Sequence, residues 1–143
     1  MTIEEIQNFV FTACGKSIPV CFVDTNLEAW KFLSEFPAWV SPKNNIVINK
    51  IIWDQCDDLI QRYLILHELG HIEDPSNYFS SVVQRELFAQ VYAINKAKTL
   101  KMHDLADMMK FILSSWEFQF KWNSPHRKYI LASRLAKKKG IVL

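Results

Sequence analysis

Apolar residues recur at helical spacing at Ile3, Ile6, Phe9 and Val10, behind a Thr2–Glu5 capping box and ahead of Gly15. This predicts a first helix that Gly15 stops. Residues 18–23 are a short β-rich run, with Pro19 at a strand start or an edge. Thr25 and Glu28 fit another capping box, so a second helix is expected over residues 27–36, ended by Pro37. Ala38-Trp39-Val40 and Ile46-Val47-Ile48-Asn49 read as strands around a turn at residues 41–45, the second ending at Asn49 or running on to Ile51.

The second half of the chain reads as helices. Leu59, Ile60, Tyr63, Leu64, Leu66 and Leu69 mark a largely buried helix with Asp57 or Asp58 as N-cap. Pro75 ends it, in a polar loop that reaches Tyr78. Ser81 and Gln84 form a capping box that opens a helix from Val82 to about Lys98. Met102, Leu105, Met108, Met109, Ile112, Leu113 and Trp116 repeat at helical spacing and read as core. Phe118, Phe120 and Trp122 read as a cap on that core, with a substrate groove as the alternative. Ser124-Pro125 is an N-cap with proline at the first helical position, predicting a last helix from Pro125 to about Lys139. The expected fold class is α+β, a sheet of about three strands against several helices. It is expected as one domain over 1–143, with helices and sheet in 1–57, a central helix pair in 58–98 and C-terminal helices in 99–143. If the strand at residues 46–49 lies at the sheet edge, it can hold an extended peptide as an added strand, making Ile46, Val47 and Ile48 candidate substrate contacts. The alternative is an interior core strand.

Composition narrows the class. The 143 residues are 50% apolar and 22% charged, ordinary for a globular protein with a core. A net charge of +2 argues against direct nucleic-acid binding. The basic residues Arg127, Lys128, Arg134 and Lys137 to Lys139 offer that function a weak foothold. The last three read more simply as cations at a helix C-terminus. Cys14, Cys21 and Cys56 are odd in number and contain no CxxC pair, so reduced thiols and a cytoplasmic protein are expected. The N-terminus lacks a signal-peptide pattern, and no apolar run reaches the roughly 18 residues a membrane helix needs.

Chemistry concentrates in Leu66-His67-Glu68-Leu69-Gly70-His71. His67 and His71 are four apart, so both imidazoles stand on one helical face and can serve one metal ion. Glu68 lies about a quarter-turn round, beside a metal-bound water, where a general base is wanted. Zinc would lower the pKa of that water towards about 7, within reach of Glu68. This is the pattern of a metal-dependent peptidase. The bland reading is a helix with two ordinary histidines and an exposed glutamate.

A third ligand should arrive on a second element. Glu86 is preferred, since Ala89 and Ala93 share its face and would let that helix approach Gly70 closely. Its bland reading is a surface carboxylate beside Arg85. Asp74, His103 and His126 are the alternatives. Asp74 lies about 10 Å along the helix axis from His67, far for a short side chain. An oxyanion donor is also wanted. His126, Tyr63, Tyr92 and Tyr129 are candidates, and Tyr92 and His126 are further candidate substrate contacts.

The residues from Ile46 to Ala93 resemble the ImmA/IrrE family of zinc metallopeptidases. The resemblance rests on Ile46-Val47-Ile48-Asn49, on Arg62-Tyr63-Leu64-Ile65-Leu66-His67-Glu68-Leu69-Gly70-His71, and on Glu86-Leu87-Phe88-Ala89-Gln90-Val91-Tyr92-Ala93. The last segment meets the family pattern E-x-x-A-N-x-F-A with Gln90 for Asn and Tyr92 for Phe. The resemblance implies a compact zincin-like fold, zinc held by His67, His71 and Glu86, and Glu68 as the catalytic base. It also implies cleavage of a helix-turn-helix repressor of a phage or mobile element. Two departures stand out. Ile94-Asn95-Lys96-Ala97 replaces the family's L-L-M-P, and no helix-turn-helix segment stands in front, so the repressor is expected as a separate chain. The competing function is a non-catalytic antirepressor or toxin-like partner with a structural or degenerate metal site. The intact Glu68 argues against it, since a structural site has no use for a base.

Overall fold

In the computed structural model, which describes residues 1–76 and 81–141, the chain begins with helix α1 (Ile3–Cys14). The Thr2 side chain accepts from the Glu5 backbone N–H, and Gly15 ends the helix in the left-handed conformation, φ 72°. Ile6, Phe9, Val10 and Ala13 form its buried stripe. The residues divide into two compact units, Met1–Ile72 and Glu73–Leu143.

The first unit carries a three-stranded sheet. β1 (Val20–Val23), β2 (Ala38–Val40) and β3 (Ile46–Asn49) lie in the order β1-β3-β2. β1 runs parallel to β3, with Val20 opposite Ile46, and β2 runs antiparallel to it, with Val40 also opposite Ile46. β3 is therefore the central strand, and all four of its residues are buried. This corrects the edge-strand expectation. The β3 backbone is paired on both sides, so Ile46, Val47 and Ile48 cannot take a peptide as an added strand. They are core, as a continuous apolar run buried on both faces should be.

The helix expected over residues 27–36 is instead a short 3-10 helix, Glu28–Leu33, with none of its residues buried. Its N-cap position is Leu27, without a side-chain cap, because the Thr25 hydroxyl is turned to Asn49. None of its residues is buried, so tertiary packing does not extend the segment into a full α-helix. Asn49 ends β3 and caps the one-turn helix α2 (Lys50–Trp53) by accepting from the Ile51 N–H. The first unit closes on α3 (Asp58–Glu73). Asp57 starts that helix by accepting from the Ile60 N–H at 2.9 Å, and the helix stops two residues before Pro75.

The second unit holds three helices that pack on one another: α4 (Val82–Thr99), α5 (His103–Gln119) and α6 (Arg127–Lys138). Ser81 and Gln84 form the expected reciprocal capping box. Leu105, Met109, Leu113 and Trp116 are buried, so the methionine stripe is core. Phe118 is 81% exposed and Trp122 is 47% exposed, so these two do not cap it. Cations lie against their rings: Lys137 over Phe118, and Arg127 and Arg134 over Trp122. The last helix begins at Arg127 rather than Pro125, because the Ser124 hydroxyl closes a local turn on the His126 N–H. Asn77 and Tyr78, the end of the expected loop, lie outside the described residues.

Candidate metal centre

α3 presents its metal-type side chains at helical spacing. His67 and His71 are one turn apart, with ring centroids 5.0 Å from each other. Tyr63 stands one turn earlier, its ring 6.1 Å from that of His67 in an edge-on contact. His67 and Glu68 are buried and His71 is half-buried. A helix that takes two imidazoles and a carboxylate largely out of water within five residues must give them polar partners.

Glu86 lies in the second turn of α4 and is also buried, which rules out its reading as a surface carboxylate. Its neighbours on that helix, Ala89, Gln90 and Ala93, are fully buried, and Gln90 donates from Nε2 to the Met109 carbonyl at 3.0 Å. His67, His71 and Glu86 each offer one ligand atom, and these atoms lie within 4.8 Å of one another. Among the described residues this is the group of histidine, cysteine and acidic side chains that could hold a metal ion. Two imidazoles and one carboxylate are a donor set that zinc accepts while keeping one position open. The residues therefore fit the ion.

Asp74, His103 and His126 are not in this group. The Asp74 Oδ1 accepts from the Ser76 backbone and hydroxyl, closing the turn after α3. His103 is exposed at the start of α5. His126 packs among aromatic rings, 5.0 Å from Phe120 and 5.9 Å from Tyr129. Tyr129 lies against Trp116 at 4.8 Å. Tyr92 is six residues after Glu86, about 120° round α4, where it stacks on Phe88. With Phe88 and Val91 it lines a cleft of about 300 Å³ along that helix.

One participant has no signal in the sequence. Lys128 donates from Nζ to Glu86 Oε1 at 3.0 Å. In the linear chain it is one of a scatter of C-terminal cations, and nothing in its neighbours distinguishes it from a solvated lysine.

The model of a family described as "Putative phage metallopeptidase" matches residues 23–112, from the end of β1 to the middle of α5. That span holds His67, Glu68, His71 and Glu86. No curated protein and no solved structure matches the chain.

Proposed function

This chain belongs to the phage metallopeptidase family, and from that premise we propose that it is a zinc-dependent endopeptidase that cleaves a helix-turn-helix repressor of a phage or mobile element. The observation that carries the proposal is the set of three donor atoms from His67, His71 and Glu86, within 4.8 Å of one another, with Glu68 next in the chain to His67. The finer kinship, with ImmA/IrrE peptidases, rests on the segments around those same residues. It supplies the substrate class, a helix-turn-helix repressor.

Bound by these side chains, zinc would polarise the scissile carbonyl and acidify a water molecule. The chain's own residues do the rest. His67 and His71 hold their imidazoles one turn apart on a single rigid helix, so little ordering remains to be done on binding. Glu68 takes the proton of the attacking water and passes it to the leaving amine. Its burial excludes bulk water, so the proton stays within the site. Tyr63, whose ring meets that of His67 edge-on, is the candidate on that helix for a donor to the developing oxyanion.

The test takes as candidate substrate any helix-turn-helix repressor found encoded beside the gene. Glu68→Gln should still bind zinc and should lose cleavage of that repressor by about 10² to 10⁴-fold. Cleavage retained by Glu68→Gln removes Glu68 from its role. Stoichiometric capture of the repressor by the wild-type protein, with no cut product, would favour the antirepressor instead.

A further inference from the structure

Glu86 is buried, with its side chain 5% exposed, and a carboxylate taken out of water needs a counter-charge. Lys128 supplies one from the second residue of α6, with its Nζ 3.0 Å from Glu86 Oε1. This lysine is not a loose surface cation. Its side chain is 28% exposed, and its ammonium lies 5.1 Å from the centre of the Tyr129 ring. Tyr129 is itself fixed against Trp116 and Phe120, at 4.8 and 5.2 Å. The buried face of α6, Ile130, Ala132, Ser133 and Ala136, fixes how that helix packs in its unit and so where Lys128 reaches.

We propose that Lys128 is a positioning residue of the metal site, holding one oxygen of Glu86 and withdrawing part of its negative charge. A carboxylate has two oxygens, so a hydrogen bond at one and ligation through the other are compatible. The inference rests on the reading of Glu86 as a metal ligand. Outer-shell partners of this kind orient a ligand and tune the metal it holds. An ammonium does both, with opposite effects on affinity. Its hydrogen bond fixes the carboxylate and favours binding. Its charge repels a divalent cation close by, and that repulsion falls off slowly in a partly buried site. Lys128 therefore trades affinity for Lewis acidity: the ion is bound less tightly and keeps more of its positive charge.

The two effects separate on substitution. Lys128→Gln keeps a hydrogen-bond donor and loses the charge. Lys128→Met keeps the length and loses both. Lys128→Arg keeps both. Zinc affinity is read by competition with a chromophoric chelator, on proteins whose helical content matches the wild type by circular dichroism. Zinc should bind about tenfold more tightly to the Gln variant, as expected for removing a nearby positive charge, and within about threefold of wild type to the Arg variant. The Met variant serves if Gln does not fold, and should also bind more tightly than wild type. Unchanged or weaker zinc binding in the neutral variants overturns the proposal. A wild-type chain that takes up no zinc overturns the metallopeptidase reading itself, and this inference with it.

Discussion

The Thr25 hydroxyl donates to Asn49 Oδ1 at 3.1 Å, joining the turn after β1 to the end of the central strand. Asn49 is 1% exposed and uses both ends of its amide. Its Oδ1 also accepts from the Ile51 N–H at 3.2 Å, and its Nδ2 donates to the carbonyls of Ser34 and Phe36 at 3.3 and 3.2 Å. One side chain thus ends β3, caps α2 and pins the segment before β2. Asn49→Ala removes a cap and leaves the buried Thr25 hydroxyl without this acceptor. It should destabilise the protein by about 3 kcal/mol in urea unfolding. A loss under about 0.5 kcal/mol, the range of neutral surface changes, would show that the hub is not needed.

Metal removal should be visible in stability. An ion that binds the folded chain alone, at about 100 times its Kd, adds about 2.7 kcal/mol. Chelation should therefore lower Tm, and added zinc should restore it. His67→Ala and Glu86→Ala, each missing one donor of the cluster, should not respond to zinc. An equal zinc response in Glu86→Ala would remove that carboxylate from the ligand set.

Thiol chemistry should separate two of the cysteines. Burial pushes the Cys56 thiol up, and the negative charge of Asp57 pushes it further. Its Sγ–H also donates to the Ile52 carbonyl at 3.2 Å. The thiolate is the reactive form, so a raised pKa leaves less of it at any given pH. Cys21 is exposed on β1. Iodoacetamide at about pH 8, followed by peptide mass spectrometry, should label Cys21 well before Cys56. Labelling in the reverse order would contradict this placement.

Glu117 makes a pH-dependent tie between α5 and α6. The hydrogen bond from Lys137 at 2.6 Å, helped by Arg134 at 3.2 Å, holds its carboxyl below the usual range, against a smaller opposing effect of burial. A carboxylate depressed in the folded state adds stability above its unfolded pKa of about 4.3 and loses it as pH falls through the folded value. Glu117→Gln should melt slightly below wild type at neutral pH, and the gap should close in strong acid. A gap that stays constant from neutral to acidic pH would show that ionisation of Glu117 contributes nothing.

Several elements were legible residue by residue because their causes are local. The Thr2 and Ser81 caps, the left-handed stop at Gly15 and the methionine stripe of α5 each depend on neighbours within one or two turns. The failures are instructive in the same terms. Thr25 followed by Glu28 has the spacing of a capping box, but its hydroxyl has a distant acceptor and the helix after it buries none of its residues. Ser124-Pro125 has the pattern of a helix start, yet the serine closes a tighter turn. Phe118 and Trp122 read as core because they are large and apolar, but they stand exposed, with cations from α6 over their rings.

Helical geometry alone places His67, Glu68 and His71: a rise of 1.5 Å and a turn of 100° per residue leave no freedom once the helix forms. Strand order is different. That Ile46–Asn49 became the centre of the sheet depended on pairing with β1 on one side and β2 on the other. A short apolar run marks a strand and does not say which strands pair with it. Lys128 is the clearest case. It meets Glu86 because α4, α5 and α6 pack on one another, and such a contact is decided by which faces those helices bury rather than by the residues on either side of it.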